Sequence, residues 1–321
     1  MAADMNNLNE NEITSEQSAT DQAVGSAGAA VMAERDIQTV TKAQTVRKVF
    51  VNIGLYAFLG FMALVVIFPF YWMLLTSVKT ITEYKYYNPT FWPTEGFRFE
   101  TYKIAFETVD FGNVFLNTVL VGVVSTILSL IVTVLSAFAL SRLEFKGKSI
   151  VFGAMLATMM IPGELFTVTN YITISRFNWT DSYVVLIVPF LVSVFYIYLL
   201  RQNFLQIPNE LYLAAKVDGT SDFKYLWKVM IPLAAPTLIS ITILKMMGSW
   251  NSYVWPHLVN TDKSYWIMTQ ALRDAYWGEG NNIDYPAQMA AVVLVTIPLL
   301  IVFLLFRKYI IRGVSRGGTK G

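Results

Sequence analysis

The chain has 321 residues, of which 55% are hydrophobic and 14% are charged, and its net charge is +2. Soluble domains carry about 25% charged residues, so this composition excludes an ordinary soluble protein, and the small net charge argues against nucleic acid as a partner. The sequence has no cysteine and a single histidine, His257, which excludes thiol catalysis, disulfides and the usual Cys/His metal sites.

The start of the chain differs in composition from the rest. Residues 1–46 are rich in Asn, Glu, Ser, Thr and Gln and contain no apolar run, which predicts a disordered N-terminal tail. The basic start and apolar core of a signal peptide are missing. The remaining residues, 47–321, are predicted to form one membrane domain.

Six hydrophobic stretches follow, each long enough to cross a bilayer core as a helix, which takes about 20 residues. They are Phe50–Leu75, Val114–Leu140, Ile150–Tyr171, Tyr183–Leu200, Ile231–Pro256 and Ala287–Phe306. The chain is therefore predicted to be an all-α membrane protein with six transmembrane helices. Polar side chains interrupt the third and fifth stretches, and because such groups are costly in hydrocarbon, these two are predicted to face the bundle interior. Pro162 is expected to kink the third helix.

The distribution of basic residues predicts the orientation in the membrane. With the N-terminus inside, two-thirds of the 24 Lys and Arg residues lie in the inner segments. Positive charge accumulates on the cytoplasmic side of membrane proteins. Both termini, and the connection between spans four and five, are therefore predicted to be cytoplasmic.

The connection between spans four and five has the pattern of a two-helix hairpin. Pro208 or Asn209 can begin a first helix. One face of this helix carries Glu210, Ala214 and Asp218 at intervals of four residues. Gly219 is suited to the left-handed turn that ends a helix.

A second helix is predicted after that turn. Thr220 or Ser221 can cap it, and Pro232 is expected to end it at the membrane. Its apolar face is predicted to consist of Phe223, Leu226, Trp227 and Met230. On residue pattern alone, a hairpin that rests on the lipid surface is as good an interpretation as one that docks on a protein.

The hairpin resembles the EAA signature of ABC-importer permeases. The matching residues are Glu210, Ala214-Ala215, Asp218-Gly219 and Ile231-Pro232-Leu233. Other stretches resemble the MalG-like branch, the smaller permease subunit of binding-protein-dependent carbohydrate uptake systems. They include Asn117-Thr118, the run from Ala137 to Arg142, Met160-Ile161-Pro162 and the run from Trp250 to Pro256. The resemblance covers residues 47–321.

This resemblance implies a permease subunit of an ATP-driven importer for sugars or oligosaccharides in a bacterial cell membrane. The implied partners are a second, homologous permease, two copies of a cytoplasmic ATP-binding subunit and an extracytoplasmic solute-binding protein. ATP binds to the partner subunits, and this chain is expected to bind no cofactor or metal and to catalyse no reaction. The residues expected to dock on the ATP-binding subunits are Glu210, Ala214, Ala215, Asp218, Gly219, Ile231 and Pro232.

Polar and aromatic residues in the third and fifth spans are candidates for the substrate path. They are Glu164, Asn170, Lys245, Trp250, Asn251 and Tyr253. Such groups suit the hydroxyls and rings of a sugar, but they can also simply satisfy one another inside the bundle. Lys245 lies roughly 20 Å along the helix from Pro232, at 1.5 Å per residue. It can line the path, pair with Glu164 or turn its amine toward the interface. Apart from Lys245, the predicted spans contain no basic residue, which argues slightly against an obligate anion as the substrate.

Other functions are weaker interpretations of the same sequence. A permease for a sugar phosphate such as glycerol-phosphate is the nearest alternative. A secondary transporter needs charged relay residues in several spans, and only Glu164 and Lys245 qualify. An intramembrane enzyme needs a nucleophile and a base, or metal ligands, and a chain with one histidine and no cysteine supplies neither inside the bundle.

Overall fold

The computed structural model describes residues 48–49, 51–277 and 284–315, with residue 277 and residues 308–315 described by their backbone alone. Residues up to Tyr71 and residues from Trp72 onward form two separate compact units. Every element within the described ranges is helical. The predicted tail, residues 1–46, lies outside the described residues.

Fifteen α-helices are assigned in the described part of the chain. They are α1 (Val51–Ser77), α2 (Ile81–Tyr84), α3 (Glu100–Thr108), α4 (Phe111–Ser141), α5 (Lys148–Thr158), α6 (Thr167–Arg176), α7 (Tyr183–Ile187), α8 (Val194–Leu205), α9 (Asn209–Val217), α10 (Asp222–Tyr225), α11 (Ile231–Leu233), α12 (Ala235–Trp250), α13 (Val254–Val259), α14 (Met268–Trp277) and α15 (Tyr285–Ser315). A π-helical segment, Leu226–Met230, joins α10 to α11.

The structure has three to six candidate membrane spans within the described ranges. Val51–Ser77, Phe111–Ser141 and Tyr285–Arg307 are each long and apolar enough to cross a bilayer alone. Three further helix pairs pass the same test only when each pair is taken as one broken span. Together they correspond one to one with the six predicted stretches.

Each break in these helix pairs lies within a few residues of a proline. The third stretch bends by 88° between α5 and the helical segment that begins at Gly163, which confirms the predicted kink at Pro162. The fourth stretch, predicted as continuous, bends by 44° after Pro189. The fifth bends by 81° between α11 and α12, two residues before Pro236. Proline removes a backbone donor and clashes with the preceding turn, so it favours such breaks.

Helix α4 lies at the centre of the unit that begins at Trp72. It packs against α8 and α12, and α12 packs in turn against α15. A stripe of small buried residues along α4 makes this contact close, namely Gly122, Ser125, Ser129, Thr133 and Ala137. Small side chains let helix backbones approach in a membrane. A Cβ atom on Gly122 would lie 4.0 Å from Ser249 Oγ of α12.

The third span does not occupy the interior of this chain, so that prediction is wrong. Helix α5 has no buried residue, and α6 has one, Ile174. The fifth span is interior as predicted, with Ser240, Ile241 and Trp250 among its buried residues. The difference arises because α4 packs on α12, whereas the third span is left on the surface of the chain.

Asn117 and Thr118 join the start of α4 to the loop before α14. The Asn117 amide nitrogen donates to the carbonyl oxygens of Ser264 and Trp266, at 2.9 and 3.0 Å. The Thr118 hydroxyl accepts a hydrogen bond from the Met268 amide at 2.8 Å. The Asn-Thr pair noted in the sequence therefore fixes the position of a loop in the fold.

Candidate functional site

Residues 209–233 form the predicted hairpin. Helix α9 begins after Pro208, and Gly219 has a φ of +67°, in the left-handed region predicted for it. The Thr220 amide donates to the Ala215 carbonyl at 2.8 Å, which closes the turn. Ser221 caps α10 by accepting a hydrogen bond from the Lys224 amide. The short-range pattern of the sequence therefore predicted this turn correctly.

A polar cluster holds the two helices of the hairpin together. The Asp222 carboxylate accepts hydrogen bonds from Tyr212 Oη at 2.8 Å and from Lys216 Nζ at 2.6 Å. The hydrogen bond to Asp222 raises the pKa of the Lys216 ammonium above its ordinary value. Asp222 was not identified from the sequence, since an acid in the first turn of a helix is common and indicates only a favourable dipole interaction.

The hairpin is anchored in the largest apolar core cluster of the described residues. Tyr225, Leu226 and Met230 are buried in a cluster with Phe138 of α4 and Phe204 of α8. The side chains of α10 and the π-helical segment therefore connect the hairpin rigidly to the ends of two spans.

The predicted single apolar face of the second helix is wrong. Leu226 and Met230 are buried, but Phe223 and Trp227 are 63% and 55% exposed. Their rings contact each other edge-on, with centroids 6.1 Å apart. The pairs Phe223–Trp227 and Leu226–Met230 form adjacent stripes at the same four-residue spacing. Only the Leu226–Met230 stripe packs into the core.

Arg142, at the end of α4, connects three elements. Its guanidinium donates to the Phe204 carbonyl at 2.9 Å and to the Ile207 carbonyl at 2.6 Å. A third hydrogen bond, of 3.1 Å, reaches the Asn209 side chain at the start of α9. The residue is buried, so it satisfies carbonyl groups left free where α8 ends and positions the hairpin. The sequence indicated Arg142 only as part of a resemblance.

The outer face of α9 is open to a partner. Glu210, Ala214 and Asp218 are all exposed, as their shared face predicts, and Ala215 packs inward against the core cluster. Gly219 is also exposed, and no atom lies within 4 Å of a Cβ built on it. A groove beside this face is lined by Arg142, Leu143, Glu144, Phe145, Tyr212, Leu213 and Asp222.

Pro232 does not end the second helix, contrary to the prediction. Helix α11 continues through Ile231 and Pro232 to Leu233, and the bend follows at Ala234. Proline is tolerated in the first turn of a helical segment because that position needs no amide donor. The π-helical segment just before it resets the hydrogen-bond pattern.

A second candidate site is a cavity of about 330 Å³ between α4, α8 and α12. Its polar lining consists of Ser125, Ser193, Tyr196, Lys245, Ser249 and Ser252. Lys245 Nζ donates to the Phe190 carbonyl at 2.7 Å, beside the break in the fourth span. Of the alternatives that the sequence left open for Lys245, pairing with Glu164 is not observed, because the amine satisfies a backbone carbonyl at that break.

The other predicted path residues do not line this cavity. Glu164, Asn170 and Asn251 are exposed. Trp250 is buried against Phe115, with ring centroids 5.9 Å apart. Tyr253 stacks on His257 at 5.2 Å.

The hydroxyl groups around Lys245 were not predicted. They come from separate helices, and a serine in a membrane helix carries little local signal. Within the described ranges there is no group of three or more His, Cys, Asp or Glu residues that could hold a metal ion.

Together, the long apolar helices and the broken spans define a multi-span helical membrane protein. Residues 129–316 match the family described as "Binding-protein-dependent transport system inner membrane component", and the chain belongs to this family. It is therefore a multi-pass inner-membrane permease subunit of an ABC importer. The family transports rather than catalyses and binds no cofactor, and its description implies ATPase and binding-protein partners.

Two curated relatives are similar over most of their length. The diacetylchitobiose uptake system permease protein NgcG of Streptomyces coelicolor is 31% identical over 82% of this chain and 87% of its own. The arabinooligosaccharides transport system permease protein AraQ of Bacillus subtilis is 30% identical over 84% of this chain and 96% of its own.

A solved structure has the same fold. It belongs to a bacterial ABC transporter involved in the import of the acidic polysaccharide alginate. The matched chain superposes with a TM-score of 0.74 at 25% identity, covering 80% of this chain and 95% of that one.

Proposed function

We propose that this permease subunit imports sugars or oligosaccharides. The observation that carries the proposal is the substrate chemistry named for its relatives, which are permeases for diacetylchitobiose and for arabinooligosaccharides. A sugar phosphate is the second candidate, because the sn-glycerol-3-phosphate permease UgpE of Yersinia pestis is 29% identical over 206 residues.

In this proposal each bent helix pair crosses the membrane as one span, which gives six spans in residues 47–321. Both termini and the hairpin lie in the cytoplasm, in keeping with the excess of Lys and Arg in those segments. Residues 1–46 form a cytoplasmic tail outside the transport domain.

The hairpin couples the spans to one of the two copies of a cytoplasmic ATP-binding subunit. The exposed face of Glu210, Ala214 and Asp218 contacts that subunit, since the small side chain of Ala214 leaves a low surface for close approach. The buried Tyr225 and Leu226 make the hairpin one rigid body with the ends of α4 and α8. Closure of the ATP-binding subunits therefore moves the spans as a rigid body.

A second, homologous permease completes the translocation path. The third span supplies Glu164 and Asn170 from an exposed surface of this chain. Exposed polar groups within a span need a polar counterpart, because lipid cannot satisfy them. The substrate passes between the two permeases after delivery by an extracytoplasmic binding protein.

Copurification followed by an uptake assay tests this function. The chain is isolated from its own membranes in mild detergent, and its partners are identified by mass spectrometry. The recovered complex is then reconstituted with the binding protein, and ATP-driven uptake of di- and oligosaccharides is compared with that of glycerol-3-phosphate. We expect a second permease, an ATP-binding subunit and saccharide uptake. Uptake of glycerol-3-phosphate alone supports the second candidate, and uptake without any ATPase contradicts the proposal.

A further inference from the structure

Lys245 carries a positive charge into a span with one partner in the described part of the chain. Its Nζ donates to the Phe190 carbonyl at 2.7 Å. No carboxylate of the described residues lies within 4.0 Å of it. An ammonium group has three donors, so two remain for another ligand. A charge inside a membrane is costly unless an opposite charge or polar groups compensate it.

The surroundings of Lys245 form a built polar site. Hydroxyl side chains from three helices line the same cavity, namely Ser125 on α4, Ser193 and Tyr196 at the start of α8, and Ser249 on α12. Each hydroxyl both donates and accepts a hydrogen bond, which is the requirement for binding sugar hydroxyls. The volume of about 330 Å³ is at the lower end of the range for small-molecule sites.

We propose that this cavity binds a sugar unit that carries one acidic group. The acidic group, a carboxylate or a phosphate, takes the two remaining donors of Lys245, and the ring hydroxyls bind the serines and Tyr196. This inference rests on the proposed function and narrows its substrate class. A neutral sugar would leave the ammonium charge uncompensated, so the expectation from the sequence that the substrate is not an obligate anion is revised.

A matched pair of disaccharides isolates the acidic group. Cellobiose and its derivative with one terminal glucose oxidised to glucuronic acid differ by a single carboxylate. Their binding to the purified permease–ATPase complex is measured by calorimetry without the binding protein, so that the specificity of the binding protein does not enter. We expect the acidic disaccharide to bind at least tenfold more tightly. A third probe, cellobiose phosphorylated at the same carbon, distinguishes carboxylate from phosphate.

Variants of Lys245 assign the preference to this residue. Lys245→Gln keeps a donor for the Phe190 carbonyl but removes the charge, and it should abolish the preference while the complex stays assembled. Lys245→Arg should retain most of it. Lys263→Gln, at an exposed lysine in the loop before α14, is the control and should change nothing.

Several results would overturn the inference. They are equal binding of the two disaccharides by the wild-type complex, binding of neither, or a preference that survives in Lys245→Gln. These results leave ATP-driven saccharide uptake untouched, so they are distinguishable from failure of the proposed function. Absence of saccharide uptake by the wild type is the separate result that removes both.

Discussion

The hairpin and the third span differ in how much of their contact surface this chain supplies. In the hairpin, Tyr225, Leu226 and Met230 are buried, and Arg142 fixes the start of its first helix. In the third span, only Ile174 is buried. One element is completed by its own chain, whereas the other presents polar groups outward within a membrane segment. This chain therefore supplies most of the contacts that hold the hairpin and few of those around the third span.

The largest expected effect is that of Arg142→Met, which breaks the attachment of the hairpin. The substitution leaves the Phe204 and Ile207 carbonyls without their buried donor. Unsatisfied buried groups cost about 1–3 kcal/mol each, so we expect a loss of about 3 kcal/mol. Thermal unfolding of the purified protein should show a clearly lower midpoint, and less ATP-binding subunit should copurify.

The control for this substitution is Arg176→Met, at an exposed residue at the end of α6. It removes the same charge and should leave the unfolding midpoint unchanged. If the two variants were equally stable, the positioning role of Arg142 would be wrong.

Gly219→Val is expected to have a smaller effect on stability but to abolish transport. A left-handed conformation costs a residue with a Cβ about 1–2 kcal/mol, and a β-branched residue resists it further. The space around Gly219 is open, so strain in the turn is the whole effect. The variant should reach the membrane, bind the ATP-binding subunit weakly and fail in uptake assays.

Two control variants separate turn strain from bulk. Gly219→Asn, which tolerates the left-handed region, should retain substantial uptake. Gly54→Val lies in α1, where a Cβ also meets nothing within 4 Å and φ is not positive, and it should be neutral. Normal uptake by Gly219→Val would contradict the proposed role of this turn in coupling.

The hairpin turn could be predicted because its determinants are local. Pro208, Gly219 and Ser221 act within a few residues of their own position, through a fixed φ, a permitted left-handed turn and a side-chain cap. The choice between the Phe223–Trp227 stripe and the Leu226–Met230 stripe was not predictable. Both have the same spacing, and the packing of α4 and α8 decides between them.

Among the polar residues that line the cavity, only Lys245 could be identified from the sequence, and its charge was the signal. A lysine in an apolar span is conspicuous because of its desolvation cost, so the sequence alone selected it. Its neighbours Ser125 and Ser193 lie far from it in the chain, and no local pattern connects them. The break that frees the Phe190 carbonyl depends on Pro189. It was not predicted because the fourth stretch is strongly apolar and has the pattern of a continuous span.

Substitutions in the third span are expected to have the smallest effect on stability. The comparison of this span with the hairpin predicts that another chain covers its surface. Replacing Glu164 or Asn170 by Cys should change the free energy of unfolding by less than about 0.5 kcal/mol, the usual range for exposed sites. The chain has no cysteine of its own, so each variant offers one reactive thiol. In the assembled transporter, a bifunctional thiol–amine reagent should link either position to the second permease.

A cysteine at Leu305, an exposed position on the apolar α15, is the matched control and should give no such link. If the cysteine at Glu164, like the one at Leu305, gave no link, the third span would face lipid. Its polar residues would then need a partner from within this chain, and the path would have to run through a single permease. A link at Glu164 and Asn170 but not at Leu305 places the polar side of the third span against the second permease, as the exposure of its polar residues predicts.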